Sequence, residues 1–204
     1  MYRKNKHGLT DWLQLAALSV ISLSSPSLFA DFDVPSGEYT LEDTHGYITF
    51  SYNHMGFSNP QLSFNKFDVT LKADSDNPTN SQVMVHINSD SIDSRVDVFD
   101  KLLNGSDYFD SSNHPTITFA STEIKDNGDN TFAVKGHLTI KEVSKPITLQ
   151  TTINKAANHP MLKVPTIGVS ATATLNRSDF NLGKFVPVVS DQVDLVINVE
   201  LIKK

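Results

Sequence analysis

The sequence predicts an all-β fold, an antiparallel barrel of about eight strands with a short helical insertion across one end. Apolar residues take alternate positions in run after run, which is the period of a strand with one buried face. Turn-forming residues separate these runs, and a single segment has helical spacing. Sequential antiparallel strands in this number either form a sandwich or close into a barrel, and closure removes the exposed edges of the sheet.

The first thirty residues have the pattern of a secretory signal peptide. Arg3, Lys4 and Lys6 precede an apolar run over 12–23, and the small residue Ala30 ends the segment. A run of 12 residues is shorter than the ~20 that a membrane-spanning helix needs. We therefore expect a signal peptide over 1–30, a single domain over 31–204 and a periplasmic or secreted protein.

The strands follow from the alternating runs in chain order. The clear runs are Ile48, Phe50 and Tyr52; Phe67, Val69 and Leu71; Val83, Val85 and Ile87; Ile117 and Phe119; and Val193, Leu195, Ile197, Val199 and Leu201. Weaker candidates lie over 38–41, 131–140, 147–153 and 168–175, with a turn predicted at 126–129. The total is eight or nine strands, which is enough for a barrel that holds one small ligand.

One short amphipathic helix interrupts the strands. Val96, Phe99 and Leu103 have helical spacing, and we predict Ser94 as the N-cap and 104–105 as the stop. A helix inserted midway along the chain would lie across one end of the barrel. We expect its apolar stripe to face the mouth of the barrel as a movable lid.

The charge and composition exclude several classes of function. The formal charge of −6 becomes −8 without residues 1–30, which carry three basic residues and Asp11. No basic cluster is longer than the pair 203–204, so we expect no nucleic-acid partner. The chain has no cysteine, which excludes disulfides, thiol chemistry and a lipoprotein anchor. We expect no stable membrane anchor after signal cleavage.

The aromatic residues point to an apolar interior. Twelve phenylalanines are present against one tryptophan, and burial of an apolar ligand against them would contribute about 25 cal/mol per Å² of apolar surface. The residues that could face a common interior are Phe50, Tyr52, Phe64, Phe99, Leu103, Phe109 and Phe119. The same side chains could equally pack a solid core. In that case the barrel would act through a protein partner on its outer surface.

The polar residues suggest binding or structural roles. The histidines after residue 30 stand singly, without the spacing of metal ligands, so we predict no metal site. Arg177 follows a predicted strand, where it could hold an anionic headgroup, although we expect it to pair with Asp179. The strand over 192–202 could lie inside the barrel or pair with a second copy in a homodimer.

No catalytic motif is present in the sequence. It contains no Gly-x-Ser-x-Gly elbow, no His-Glu-x-x-His motif and no glycine-rich phosphate loop. The pairs Asp90/Asp93 and Asp107/Asp110 flank the predicted helix and are typical of caps and solvated faces. We therefore predict that the protein is not an enzyme, and a lipid hydrolase outside the cytoplasm ranks below both binding hypotheses.

Eight motifs occur in the order typical of one family. They are YTLEDTH at 39–45, FSYNH at 50–54, SIDS at 91–94, DYFD at 107–110, HPTITF at 114–119, GHLTI at 136–140, KPI at 145–147 and NRSDF at 176–180. In these motifs the chain resembles the YceI-like family, which comprises bacterial periplasmic polyisoprenoid-binding proteins with a lipocalin-like barrel. The resemblance covers nearly all of residues 31–204.

The resemblance implies a ligand and its site. A member of this family would enclose an elongated apolar lipid for carriage or storage, such as a polyisoprenoid, an isoprenoid quinone or a fatty-acid-like lipid, with no covalent cofactor. It also implies that His45 and His54 lie near the mouth of the pocket. The candidate ligand-binding residues are His45, Phe50, Tyr52, His54, Phe64, Phe99, Leu103, Phe109, Phe119 and Arg177.

Overall fold

The computed structural model describes residues 34–204 together with Met1. The expected signal peptide therefore lies outside the described residues. The strands are β1 (Gly37–His54), β2 (Gln61–Phe64), β3 (Phe67–Ala73), β4 (Gln82–Asn88), β5 (Ile92–Asp93), β6 (Thr116–Gly128), β7 (Thr131–Ile140), β8 (Val143–Asn158), β9 (Pro165–Asn176) and β10 (Val189–Lys203), and the helix α1 is Asp97–Leu103. No helix in this part of the chain is long and apolar enough to cross a membrane.

All strand pairings are antiparallel, and eight strands close into a ring. Neighbours around the ring follow the order β1, β3, β4, β6, β7, β8, β9 and β10, and β10 returns to β1. The closing pair runs from Tyr39 opposite Lys203 to His54 opposite Val189. The predicted fold class is thus confirmed. Strand β10 also pairs with β9 on its other side. It is therefore a strand within the barrel sheet, with a neighbour on each side.

Strand β1 is unusually long because it serves two neighbours in turn. Its first residues pair with β3, and the stretch from Ile48 to Ser51 pairs with β2. A bulge between Leu41 and Gly46 shifts its register against β10, which lets one strand bend around the barrel. The sequence predicted two separate strands here. It missed β2 and β5, which are short and form a flap beside β1.

The two ends of the barrel differ in their packing. We call the end where β1 begins and β10 finishes the closed end; the opposite end, near His54 and Val189, is the open end. At the closed end Tyr39 is fully buried, and its hydroxyl donates to the carbonyl of Pro35 at 2.6 Å. Buried Ile167 and Leu201 also lie in this half. Inward-facing side chains therefore fill the barrel at the closed end.

Gly136 allows a close approach between an aromatic ring and the sheet. A Cβ at Gly136 would lie 2.4 Å from both the Phe119 ring and the carbonyl oxygen of Ala120. No real Cβ tolerates such distances, so the Phe119 ring rests on bare backbone. Because Gly136 of β7 has no side chain, the Phe119 ring can lie in this position, where it is buried in the barrel interior.

The helix forms where the spacing predicts it, although its cap differs. The N-cap is Val96, whose side chain makes no capping bond, so the prediction of Ser94 is wrong. The Ser94 N–H and hydroxyl instead donate to Asp100 Oδ1, at 2.7 and 2.5 Å. The carboxylate of the first turn thus reaches back to the preceding loop. Ser94 lies two residues too early to bond the free N–H groups of the helix.

We expect Gly136→Ala to lower the free energy of unfolding by about 1–3 kcal/mol, because the added methyl forces the Phe119 ring and the β6 backbone apart. Urea denaturation measures this difference. Gly168→Ala is the matched control, since a Cβ there meets no atom closer than 3.8 Å. Equal stability of the two variants would contradict this role of Gly136.

Candidate functional site

The open end of the barrel contains a cavity of about 310 Å³. Strands of the ring form its wall, and α1 and the loop before β10 border it. Nine of the ten predicted binding residues line it, namely Phe50, Tyr52, His54, Phe64, Phe99, Leu103, Phe109, Phe119 and Arg177. The structure thus brings these residues together around one space. Their part in binding stays a prediction.

Three phenylalanines form the wall beside α1. The Phe50 and Phe64 rings are 5.6 Å apart, and Phe109 meets Phe64 edge to face at 5.5 Å. Such edge-to-face pairs stabilise beyond the area they bury. Phe109 comes from the loop after the helix, so this contact fixes that loop on the barrel.

Most of the rest of the wall is aliphatic and was not predicted from the sequence as part of the site. It comes mainly from alternate positions of β7–β10, among them Ile140, Ile147, Leu149, Leu175, Leu195 and Ile197. Along β10, Leu195 and Ile197 are half-buried, whereas Val199 and Leu201 are buried. The sequence left open whether the interior is a solid core or a cavity. Each alternative describes one half of the barrel, because it is solid at the closed end and hollow at the open end.

Arg177 organises the rim of the cavity through backbone bonds. Its guanidinium donates to the carbonyls of Leu182, Lys184 (2.9 Å), Val189 (3.1 Å) and Ser190 (2.8 Å). The expected pair with Asp179 is wrong, because the chain turns after β9 so that four carbonyls converge on the guanidinium. Four of its five N–H donors are thereby used within the loop.

A neighbouring carboxylate completes the same turn. Asp191 accepts hydrogen bonds from the hydroxyl and the N–H of Ser178, at 2.6 and 2.8 Å. The hydroxyl bond is the main cause that holds the pKa of Asp191 below its ordinary value. The start of β10 and the end of β9 are joined in this way at the rim.

Lys184 ties the two loops that flank the mouth. Its Nζ donates to Asp107 Oδ2 in the loop after α1 and lies 5.9 Å from the Tyr108 ring centroid. The bond to Asp107 raises the pKa of Lys184. Both side chains are exposed, and exposed ion pairs contribute little net stability. The pair can therefore open without loss of the fold.

Three polar side chains of the upper wall have no hydrogen-bond partner among the described residues. They are Tyr52, His54 and Tyr108, which all line the cavity. Burial raises the pKa of Tyr52, the nearby Tyr108 adds to this, and Arg177 opposes it. The Tyr52 hydroxyl is thus a neutral donor that faces the cavity.

His45 does not lie at the mouth, so that expectation is wrong. It belongs to the same strand as His54, and nine intervening steps at about 3.3 Å each carry it roughly 30 Å away, toward the closed end. His45 Nδ1 lies 2.6 Å from Glu42 Oε2, and this bond raises the pKa of His45. The hydrogen bond from the Thr44 side chain, followed in size by the one with His45, lowers the pKa of Glu42.

Glu42, His45 and Glu200 offer three ligand atoms within 4.8 Å of one another. A metal ion would compete here with the hydrogen bond between Glu42 and His45. The nearby His159 accepts the N–H of Leu162 on Nδ1 at 3.0 Å, so its Nε2 carries the proton and cannot ligate. The expectation of no metal site stays a prediction.

Comparison with known proteins gives two kinds of likeness. The family model described as YceI-like domain matches residues 39–201. A UPF0312 protein of Pectobacterium atrosepticum is 32% identical over 192 residues, which covers 94% of this chain and 96% of the relative.

Two solved structures share the architecture. BcnA of Burkholderia cenocepacia superposes with a TM-score of 0.71 at 23% identity, over 78% of this chain and 98% of that one. A polyisoprenoid binding domain from Saccharophagus degradans superposes with a TM-score of 0.65 at 13% identity, over 81% and 98%. At these identities the likeness concerns the fold.

We expect Arg177→Met to lower the free energy of unfolding by about 2–3 kcal/mol, because it leaves several carbonyls of the rim loop without a donor. Asp179→Asn is the matched control and should change stability by less than about 0.5 kcal/mol, since an exposed carboxylate away from the guanidinium contributes little. Chemical denaturation of both variants measures the difference. Equal losses of stability in the two variants would indicate that Arg177 is paired with Asp179.

Proposed function

The chain belongs to the YceI-like family, and we propose that it is a periplasmic lipid-binding protein that encloses the tail of an isoprenoid lipid for carriage or storage. The family match confirms the resemblance noted in the sequence. One observation carries the proposal: the barrel is hollow and apolar at one end and solid at the other. The basic and apolar pattern of residues 1–30 supports the compartment.

The shape of the cavity supports an orientation for the lipid. Side chains fill the closed end, so a tail enters from the open end and its headgroup stays near Tyr52 and His54. The volume of about 310 Å³ is near the lower limit of ligand pockets, which span roughly 300–1,000 Å³. Part of a long chain would therefore occupy the mouth under α1. Burial of apolar surface drives the binding.

The charges at the mouth favour a neutral headgroup. The cationic side chains on the cavity wall are Arg177 and Lys184; the first is bonded to backbone carbonyls and the second to Asp107. A phosphate or carboxylate would have to break these bonds or lose its hydration without a partner, and both are costly. A carbonyl or hydroxyl needs one donor, which Tyr52 supplies. We therefore favour an isoprenoid quinone or alcohol over a phosphorylated isoprenoid or a fatty acid.

The wall chemistry supports binding without catalysis. The cavity-lining residues include no serine, cysteine, aspartate or glutamate, so His54 has no serine or cysteine nucleophile to activate and no carboxylate partner on this wall. The fold shared with the polyisoprenoid binding domain of Saccharophagus degradans is consistent with a carrier.

Mass spectrometry of the protein from its native compartment tests the proposal, under native conditions and after solvent extraction. We expect one neutral isoprenoid per protein. The apo protein should also take up a C40 isoprenoid quinone at least ten-fold more tightly than the polyprenyl phosphate of equal length. A clean apo mass with no uptake of either lipid would refute the carrier role, and tighter binding of the phosphate would refute the neutral headgroup.

We expect Phe99→Asp to weaken retention of a bound isoprenoid by more than ten-fold, because a carboxylate replaces a ring on the cavity wall. The thermal midpoint should change little, since Phe99 is only half-buried. Val96→Asp is the control, as Val96 lies just before the same helix but is exposed and outside the cavity wall. Comparable losses of stability and retention in Phe99→Asp would make α1 an ordinary part of the core.

A further inference from the structure

We propose that the open end of the barrel docks on the surface of a zwitterionic lipid bilayer through three apolar tips that surround the cavity mouth. The tips are the turn 55–58, the outer face of α1 and the loop 184–188. This inference rests on the proposed function, since it names the surface from which the lipid is collected.

The tips expose large apolar side chains to an unusual degree. Phe57 is 88% exposed and Val98 is 75% exposed, and Met55, Phe185 and Val188 are also exposed. Isolated exposed apolar residues are normal on a protein surface, but a group of them around one opening marks an interaction site.

Each tip is joined directly to the wall of the cavity. The Phe57 N–H donates to the carbonyl of His54 at 3.0 Å, and His54 lines the cavity. Val188 precedes Val189, which is also a wall residue and lies opposite His54 across the closing strand pair. The exposed side chains therefore surround the opening that a lipid tail must cross.

Helix α1 is apolar on two adjacent faces. Phe99, Leu102 and Leu103 line the cavity, and Leu102 is also partly exposed to solvent. Val98, one turn before Leu102, is exposed and lies outside the cavity wall. A helix that only covered a cavity would present polar residues to water. The exposed Val98 and the exposed part of Leu102 therefore indicate a second apolar environment beside the mouth.

Phe185 links the inside and the outside of the mouth. It lines the cavity and is exposed at the same time, and its φ of 66° lies in the left-handed region that bulky residues rarely adopt. Strained backbone of this kind concentrates at functional sites. Here it holds an aromatic ring at the rim rather than in the core.

The charges around the mouth select the kind of bilayer. The chain has 23 acidic residues, yet none falls within 54–64 or 180–190, and Lys184 is the one lysine or arginine in these stretches. Lys184 is paired with Asp107, and α1 carries Asp97 and Asp100 against Lys101. The two loop tips are thus nearly neutral and no basic patch is present. Such a surface matches zwitterionic headgroups and gains nothing from anionic lipids.

The position of the tips favours a bilayer over a second copy of the chain. Two mouths placed against each other would seal both cavities, whereas a bilayer beneath the mouth supplies the lipid without a passage through water. Insertion of separate apolar tips between headgroups also needs no matching protein surface.

Flotation with phosphatidylcholine vesicles tests the proposal on the unliganded protein. The variant is Phe57→Glu/Val98→Glu, whose residues do not line the cavity. The control is Met161→Glu, because Met161 is 82% exposed in the β8–β9 loop at the closed end. We expect the wild type and the control to float with the vesicles. The fraction of the double variant that floats should be at least five-fold smaller than that of the wild type. Phosphatidylglycerol at 30% or added salt should change the fraction less than two-fold.

A second measurement separates this inference from the proposed function. Loading with isoprenoid quinone from detergent micelles should be equal in all three proteins, because the cavity is intact. Failure of the wild type to load would refute the proposed function and leave docking to be judged by flotation. Failure of the wild type to float, equal flotation of the double variant, or a dimer that the double variant dissociates would each overturn the docking surface.

Discussion

The closure of β1 against β10 is the constraint on which the rest of the structure depends. Their pairing runs the height of the barrel, from Tyr39 opposite Lys203 to His54 opposite Val189. It turns an open sheet into a ring, removes the free edges and gives every inward-facing side chain the same interior. Eight strands leave a space that side chains alone can fill or that can hold one small ligand. In this protein side chains fill the closed end, and the open end contains a cavity.

The division of the interior follows from the size and position of a few residues. Tyr39 crosses the closed end with its hydroxyl bonded to Pro35, and Gly136 frees the space in which the Phe119 ring lies. At the open end the inward positions carry aliphatic and aromatic side chains that line a cavity and leave its centre open. A ligand tail can therefore penetrate only part of the barrel, and α1 covers the portion nearest the mouth.

The cationic side chains at the mouth are bonded within the protein. Arg177 donates hydrogen bonds to four backbone carbonyls, and Lys184 is paired with Asp107. Among the described residues, the polar side chains of the upper wall without a hydrogen-bond partner are Tyr52, His54 and Tyr108, and apolar tips surround the mouth on the outside. The internal pairing of these charges is thus the common basis of the two proposals, a neutral headgroup inside the cavity and a zwitterionic bilayer beneath the mouth.

The sequence by itself determined the fold class, most strand positions and the side of the sheet on which each side chain lies, because a period of two residues specifies the face. For the same reason Phe50, Tyr52, His54 and Phe119 face one cavity, which Phe99, Leu103, Phe109 and Arg177 reach from the helix and the loops. Only the tertiary structure decided the height of each residue along the barrel axis, which moved His45 away from the mouth, and the partner of Arg177, which the path of a loop supplies. Strands β2 and β5 are too short to show a two-residue period in the sequence. The boundary between the solid and the hollow part of the interior depends on side chains that meet from strands far apart in the chain, and alternation along one strand does not encode such contacts.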